Sequence, residues 1–239
     1  MIKIAIIGYG KMGKEIESLA KDFDYRVACI IDRDDNLKDA IEKNKPDVAI
    51  EFTNANAVID NIKTCLNMHL PIVSGTTGWD NGLEDIKKYT AQKNGNVLWG
   101  SNFSLGVNLW FDFIDYLTGE MKNFENYKVR LEEIHHIHKL DKPSGTAIQA
   151  AQLVMKHYNF KNWSLEDKED HLNITSIRQG EEVGTHSVIF SSPYDQITLE
   201  HKNFSRKSLA IGTLTAAKWI ISHKGFYFFH DVYKEVFNS

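Results

Sequence analysis

Short apolar runs recur through the first hundred residues, with helical patterns in the gaps between them. Met1-Ile-Lys-Ile-Ala-Ile-Ile7, Tyr25-Arg-Val-Ala-Cys-Ile-Ile31, Asp47-Val-Ala-Ile-Glu-Phe52, Pro71-Ile-Val-Ser74 and Asn96-Val-Leu-Trp99 all have strand length, and most are rich in β-branched residues. Their alternation with helices predicts an α/β fold on a Rossmann-type, doubly wound parallel sheet. The last three runs end in small or polar residues: Thr53-Asn54, Gly75-Thr-Thr-Gly78 and Gly100-Ser-Asn102. Ligands of such sheets bind beyond the carboxyl ends of the strands, so these loops are expected to line a groove.

From about residue 127 the texture changes. Residues 127–134, 172–177, 183–190 and 197–201 are strand-like, and Ser191-Ser-Pro-Tyr-Asp195 reads as a hairpin connection between the last two. Pro143-Ser-Gly-Thr146, followed by Ala-Ile-Gln-Ala-Ala-Gln-Leu, reads as a helix start with Ser144 as N-cap. Together these predict a smaller α+β domain with a four-stranded open sheet and helices on one face. The bare face of so small a sheet invites cover by another subunit. Residues 208–223 have helical periodicity through Leu209, Leu214, Ala217, Ile220 and Ile221, with Gly225 as a stop.

The first apolar run leads directly into Gly8-Tyr9-Gly10-Lys11-Met12-Gly13. This is G-x-G-x-x-G in strand–turn–helix context. Gly8 permits the tight turn, Gly10 lets a pyrophosphate approach the backbone, and Gly13 lets helix and strand pack closely. The second run ends at Asp32, near the spacing expected of a ribose-binding acid. Arg33 follows it. A carboxylate favours the ribose diol of NADH, whereas a guanidinium can pair with the 2′-phosphate of NADPH, so the pair suggests use of both cofactors.

Composition narrows the function classes. The chain has 239 residues and a net charge of −4, which gives no electrostatic case for nucleic acid or an anionic membrane. No apolar run reaches the length of a membrane span, and the apolar start is too short for a signal peptide. Cys29 and Cys65 are the only cysteines. That usage fits a reduced, cytoplasmic protein rather than a disulfide scaffold. His135, His136 and His138 have no partner Cys, Asp or Glu at a convincing ligand spacing, so no metal site is expected.

Residues 135–146, His-His-Ile-His-Lys-Leu-Asp-Lys-Pro-Ser-Gly-Thr, concentrate the candidate chemistry. Three imidazoles and Lys139 stand just upstream of the helix start, where the free N–H groups of Gly145 and Thr146 favour a carboxylate or phosphate. This is equipment for an acidic small molecule and a proton.

These motifs resemble those of the 4-hydroxy-tetrahydrodipicolinate reductase (dihydrodipicolinate reductase) family of lysine and diaminopimelate biosynthesis. The resemblance covers essentially the whole chain. It rests on residues 8–13, Ser74-Gly-Thr-Thr-Gly78, Ser101-Asn-Phe-Ser-Leu-Gly-Val-Asn108, the 135–146 stretch, and Ser176-Ile-Arg-Gln-Gly180 with Gly184-Thr-His186. It implies a dinucleotide-binding domain from both chain ends (1–102 and 208–239) enclosing a substrate and tetramerisation domain (103–207). It implies His135 as proton donor, with Lys139 as a second donor that also binds substrate. His136, Ser144, Gly145, Thr146 and Thr77 become contacts for a small cyclic dicarboxylate. Gly8 to Gly13, Asp32, Arg33, Gly75, Thr76, Thr77, Gly100, Ser101, Asn102 and Phe103 become contacts for NADH or NADPH. Ile137 and Lys142 depart from the family pattern, where a basic and a small residue are usual. Two other classes share parts of the pattern. Another Rossmann oxidoreductase of similar plan is one, although a semialdehyde type would need a catalytic cysteine beyond Cys65. A non-catalytic NAD(P)-sensing protein, needing no proton donor, is the other.

Overall fold

The structure, a computed structural model, describes all of residues 1–239. In chain order it begins β1 (Ile2–Ile7), α1 (Lys11–Ala20), β2 (Tyr25–Ile31), α2 (Leu37–Asn44), β3 (Val48–Glu51), α3 (Val58–Asn67), β4 (Ile72–Ser74), α4 (Leu83–Gln92) and β5 (Asn96–Trp99). Then come α5 (Leu105–Met121), β6 (Lys128–His135), α6 (Gly145–Met155), β7 (Asn162–Ser164), β8 (His171–Arg178), β9 (Gly184–Ser191) and β10 (Gln196–Asn203). The chain closes with α7 (Lys207–Ile220), β11 (Gly225–Phe228) and α8 (Phe229–Asn238). It forms two compact units: Met1–Leu105 with Lys207–Ser239, and Gly106–Arg206.

The first unit is a six-stranded parallel sheet in the order β11-β5-β4-β3-β1-β2. Alternate residues of β1 enter opposite layers. Ile4 and Ile6 pack with Ile16 of α1, Leu214 and Trp219 of α7 and Val232 of α8. Ala5 and Ile7 pack with Ile41, Ile62, Cys65 and Ile86 from the helices of the other face. Burial on both sides is why these strands read as unbroken apolar runs. Each isoleucine so buried stabilises the unit by about 1.5–3 kcal/mol. β1 lies between β2 and β3, so the chain order reverses there, and the crevice of a doubly wound sheet opens at its carboxyl end. The sixth strand, β11, and the final helix come from the tail, beyond the Gly225 expected to end regular structure.

The second unit is a mixed sheet in the order β10-β9-β6-β8-β7. β10, β9 and β6 are antiparallel, while β6, β8 and β7 run parallel. It has five strands rather than four, because Asn162–Ser164 adds a short edge too brief to show a period of two. One face carries α5 and α6: Val107, Trp110 and Ile114 with Ala147, Ala150 and Val154 cover Val129, Leu131, Ile174, Val188 and Phe190. Strand alternation turns Arg130, Glu132 and Ile134, with Thr198, Glu200 and Lys202, to the opposite face.

Candidate active site

The helix-covered face of the second sheet is apolar for most of its length and turns polar at one end. On β6, Val129 and Leu131 point into the core, and the next two residues on that face are Glu133 and His135. Register sets Ser176 of β8 and His186 of β9 beside Glu133, and Arg178 beside His135. Strand geometry alone thus gathers a carboxylate, two imidazoles, a hydroxyl and a guanidinium.

Glu133 is fully buried and saturated with donors. Its carboxylate accepts the Ser144 N–H at 3.0 Å, the Ser176 hydroxyl at 2.5 Å and the Arg178 guanidinium at 3.2 and 3.3 Å. Nδ1 of His135 lies 3.3 Å from it and Nε2 of His186 3.8 Å. The two imidazole rings meet edge to face, centroids 4.9 Å apart. Burial opposes the charge on Glu133, but His135 beside it and the hydrogen bonds from Ser144 and Ser176 outweigh that and hold the carboxyl well below its usual range. Glu133 is therefore an anion. His186 moves the other way: burial, reinforced by repulsion from His135, pushes it down to about 3, so it is a neutral ring near pH 7. Its Nε2 lies 3.0 Å from Oγ of Ser144, which also accepts the Ala147 N–H at 3.2 Å.

That second bond is the N-cap of α6 expected from the sequence. The helix leaves the N–H groups of Gly145 and Thr146 without i−4 acceptors. Gly145 is exposed, and a Cβ there would meet nothing within 4 Å. An anion can approach this end directly. Upstream, the 136–142 loop is strapped to β8: Arg178 Nε donates to the Lys139 carbonyl at 3.3 Å and Nη2 to the Asp141 carbonyl at 2.5 Å. The Lys139 ammonium bridges both Asp141 carboxylate oxygens at 2.7 Å, and its charge still bears on His186. His136 is half-buried, whereas His138 is exposed with Glu181 3.9 Å away.

The ligand-type atoms of Glu133, His135 and His186 lie within 4.8 Å of one another, a spacing suited to a metal. Glu133 and His186 are distant in sequence, and only strand pairing reveals the set. The Glu133 oxygens already accept one backbone, one hydroxyl and two guanidinium donors, so the arrangement is that of a hydrogen-bonded cluster.

In the first unit, two adjoining cavities lie at the carboxyl ends of the strands. One, about 340 Å³, is lined by residues including Gly8, Tyr9, Gly10, Asp32, Arg33 and Asp35. The other, about 430 Å³, is lined by Gly10, Lys11, Met12, Gly75, Thr76 and Thr77, and both share Phe52, Thr53 and Asn54. Gly8 has φ +91°, and a Cβ there would lie 2.2 Å from the Phe52 carbonyl oxygen. A Cβ on Gly10 would meet nothing, so the backbone is bare where a pyrophosphate would approach. Asp32 caps its own turn through the Arg33 N–H at 2.9 Å, and both side chains are exposed on the rim. Fully buried Glu51 ties the floor together. It accepts the Thr53 N–H at 3.1 Å, the Thr53 hydroxyl, the Ser74 hydroxyl at 2.5 Å and the Thr76 hydroxyl at 3.0 Å. The residues present suit a dinucleotide. Gly100 is buried against Phe229, and the Phe103 side chain is packed in the core beside Phe229 and Phe52. Ser101 is exposed and Asn102 caps the Ser104 N–H at 2.9 Å.

Ser176, Arg178 and His186 lie in motifs that carry the family resemblance but have no role assigned from the sequence, and Glu133 and Glu51 are not singled out there at all. The period-two spacing of Glu133 and His135 was a usable signal; the pairing of β6 with β8 and β9 was not.

A glycine-turn groove on a doubly wound sheet and a buried acid–imidazole cluster beside an open helix end define a nicotinamide-dependent oxidoreductase. Comparison with known proteins narrows this. Residues 2–103 match the family profile "Dihydrodipicolinate reductase, N-terminus", and residues 106–233 match "Dihydrodipicolinate reductase, C-terminus". The 4-hydroxy-tetrahydrodipicolinate reductase of Christiangramia forsetii is 37% identical over 240 residues, covering all of both chains. The dipicolinate-bound dihydrodipicolinate reductase of Paenisporosarcina sp. TG-14 superposes with a TM-score of 0.81 at 24% identity, over 97% of this chain and 99% of that one. An amine dehydrogenase from Mycobacterium smegmatis shares the fold at a TM-score of 0.58 and 9% identity, over 96% of this chain and 95% of that one. The chain belongs to the dihydrodipicolinate reductase family.

Proposed function

We propose that this protein reduces 4-hydroxy-tetrahydrodipicolinate, or its dehydrated form, to tetrahydrodipicolinate in lysine and diaminopimelate biosynthesis, with NADH or NADPH as reductant. The observation that carries this reading is one loop. Between His135 and Thr146 the chain supplies an imidazole backed by a buried carboxylate, an ammonium, and a solvent-facing helix end. A small cyclic dicarboxylate with an imine needs all three. One carboxylate takes the Gly145 and Thr146 N–H groups, and Lys139, released from Asp141, and His136 serve the rest. A nicotinamide cofactor held by the glycine-turn groove of the first unit would supply the hydride. The hydroxylated form must first lose water, which leaves a ring C=C conjugated with the imine. Hydride then adds to one carbon of that bond and the proton from His135 to the other, and the imine is kept in the product. Ser144 completes the substrate contacts of this loop. Asp32 and Arg33, side by side on the rim, favour acceptance of both cofactors. The sheet face bearing Arg130, Glu132 and Glu200 is read as the surface of a homotetramer, and the cysteine usage as that of a cytoplasmic protein.

The test is dicarboxylate-dependent loss of NADH absorbance near 340 nm. His135→Ala is expected to lower kcat by about 10²–10⁴ with little change in the KM for NADH. His138→Ala, at an exposed site, is expected to stay near wild type. A slow H138A enzyme beside a normal H135A enzyme would reassign the proton donor. Absence of turnover with the dicarboxylate would reject the reading.

A further inference from the structure

We propose that Glu133 is a positioning residue for proton transfer. Its carboxylate holds Nδ1 of His135 and so leaves Nε2 as the working atom. This deepens the proposed function and rests on its choice of His135.

Four observations carry it. First, Nδ1 of His135 is buried with no hydrogen-bonding acceptor in line, and the Glu133 carboxylate, 3.3 Å away and somewhat off the ideal line, is the ionisable partner within reach. Second, the carboxylate is the fixed member of the pair. The Ser144 N–H, the Ser176 hydroxyl and the Arg178 guanidinium hold it from α6 and β8, so the ring must orient to it. Third, Nε2 lies close against Gly184, where only the lack of a side chain leaves the ring nitrogen uncrowded. A Cβ on Gly184 would lie 3.0 Å from it. Fourth, the charged groups around the pair are accounted for on every side. Arg178 from β8 pairs with Glu133, Lys139 is bridged by Asp141, and His186 from β9 is neutral and cannot replace the imidazolium.

The nitrogen of a histidine that exchanges protons is set by the hydrogen bond the other nitrogen makes. With Nδ1–H directed at a carboxylate, Nε2 carries the transferable proton when the ring is charged and is the bare nitrogen afterwards. The same carboxylate also holds the Ser144 N–H. One residue therefore ties the ring that gives the proton to the helix end that takes the anion, fixing their separation.

The test is a double-mutant cycle on the full-length protein, with Glu133→Gln, His135→Ala and the pair, assayed across pH. E133Q is expected to lower kcat by about 10²-fold, leave the KM for NADH unchanged, and alter the pH profile of kcat. In the H135A background the same change is expected to cost no more than about twofold, since its target is gone. Equal losses in both backgrounds would make Glu133 merely structural and overturn the proposal. So would an E133Q enzyme of normal rate and profile beside a slow H135A enzyme. A fast H135A enzyme would remove the underlying reading and the proposal with it. Should E133Q not fold, ring-¹⁵N spectra of the wild-type histidines decide. They are expected to show an Nδ1–H tautomer in the signal lost from H135A, against the Nε2–H preference of a free ring. An Nε2–H tautomer there would overturn the proposal.

Discussion

Acid is expected to weaken the second unit through His186, and the size of the effect follows from its surroundings. The ring is 5% exposed and titrates at about 3 in the folded chain, against about 6.5 in an unfolded one. The folded value is the depressed one. Its contribution is therefore intact above about pH 6.5 and is lost as pH falls toward 3, because only the unfolded chain takes up the proton. The slope is about 1.4 kcal/mol per pH unit, which amounts to about 2 kcal/mol between about pH 7.5 and pH 5. Glu133 adds its own loss only at lower pH, below the ordinary carboxylate value, so this window isolates imidazole. His201 is also lowered by burial and adds to the loss in acid, so the measurement must be a difference. His186→Gln keeps an acceptor for the Ser144 hydroxyl and removes the titration. Urea unfolding followed by circular dichroism, at fixed protomer concentration, gives the stability of each protein at the two pH values. Wild type is expected to lose about 2 kcal/mol more than H186Q. A difference below about 0.5 kcal/mol, within the error of extrapolation, would refute the argument.

Two further outcomes are expected. Arg33→Ala should raise the KM for NADPH far more than that for NADH, because the exposed guanidinium beside Asp32 can pair with a 2′-phosphate; equal effects on both would show that Arg33 does not read it. Light scattering should report four protomers at working concentration, and a stable monomer would remove the role given to the uncovered sheet face.

Strands buried on both faces were legible because burial removes polar interruptions, as in Ile4 to Ile7 and Val48 to Ile50. The α6 cap was legible because a serine before a run of helix formers has few other uses. Four elements were hidden: α5, β7, β11 and the final helix α8, which lies beyond the expected stop at Gly225. The long α5 buries Val107, Trp110 and Ile114 yet exposes Leu109, Phe113 and Tyr116, which blurs a 3.6-residue period. β7 has three residues and β11 four, too few for a pattern. At the site, the histidines and the helix end announced themselves by local density. Glu133, Arg178 and His186 did not, since they meet only through pairing of strands far apart in sequence. Glu51 sits inside an apolar run, where a carboxylate reads as an interruption until Thr53, Ser74 and Thr76 close around it.

The first unit takes its edge strand β11 and the helices α7 and α8 from residues that follow the inserted unit in the chain. Val232, Tyr233 and Val236, with Leu214 and Trp219, complete the layer that receives Ile4 and Ile6. On a ribosome adding about 5–20 residues per second, the opening βα segments must wait many seconds for these partners. The inserted unit, contiguous in the chain, is fully extruded first. The layer that receives Ile4 and Ile6 therefore cannot be completed until the inserted unit has been synthesised. Loss of the final helix would accordingly strip the cofactor unit of its closing layer while leaving the inserted sheet whole.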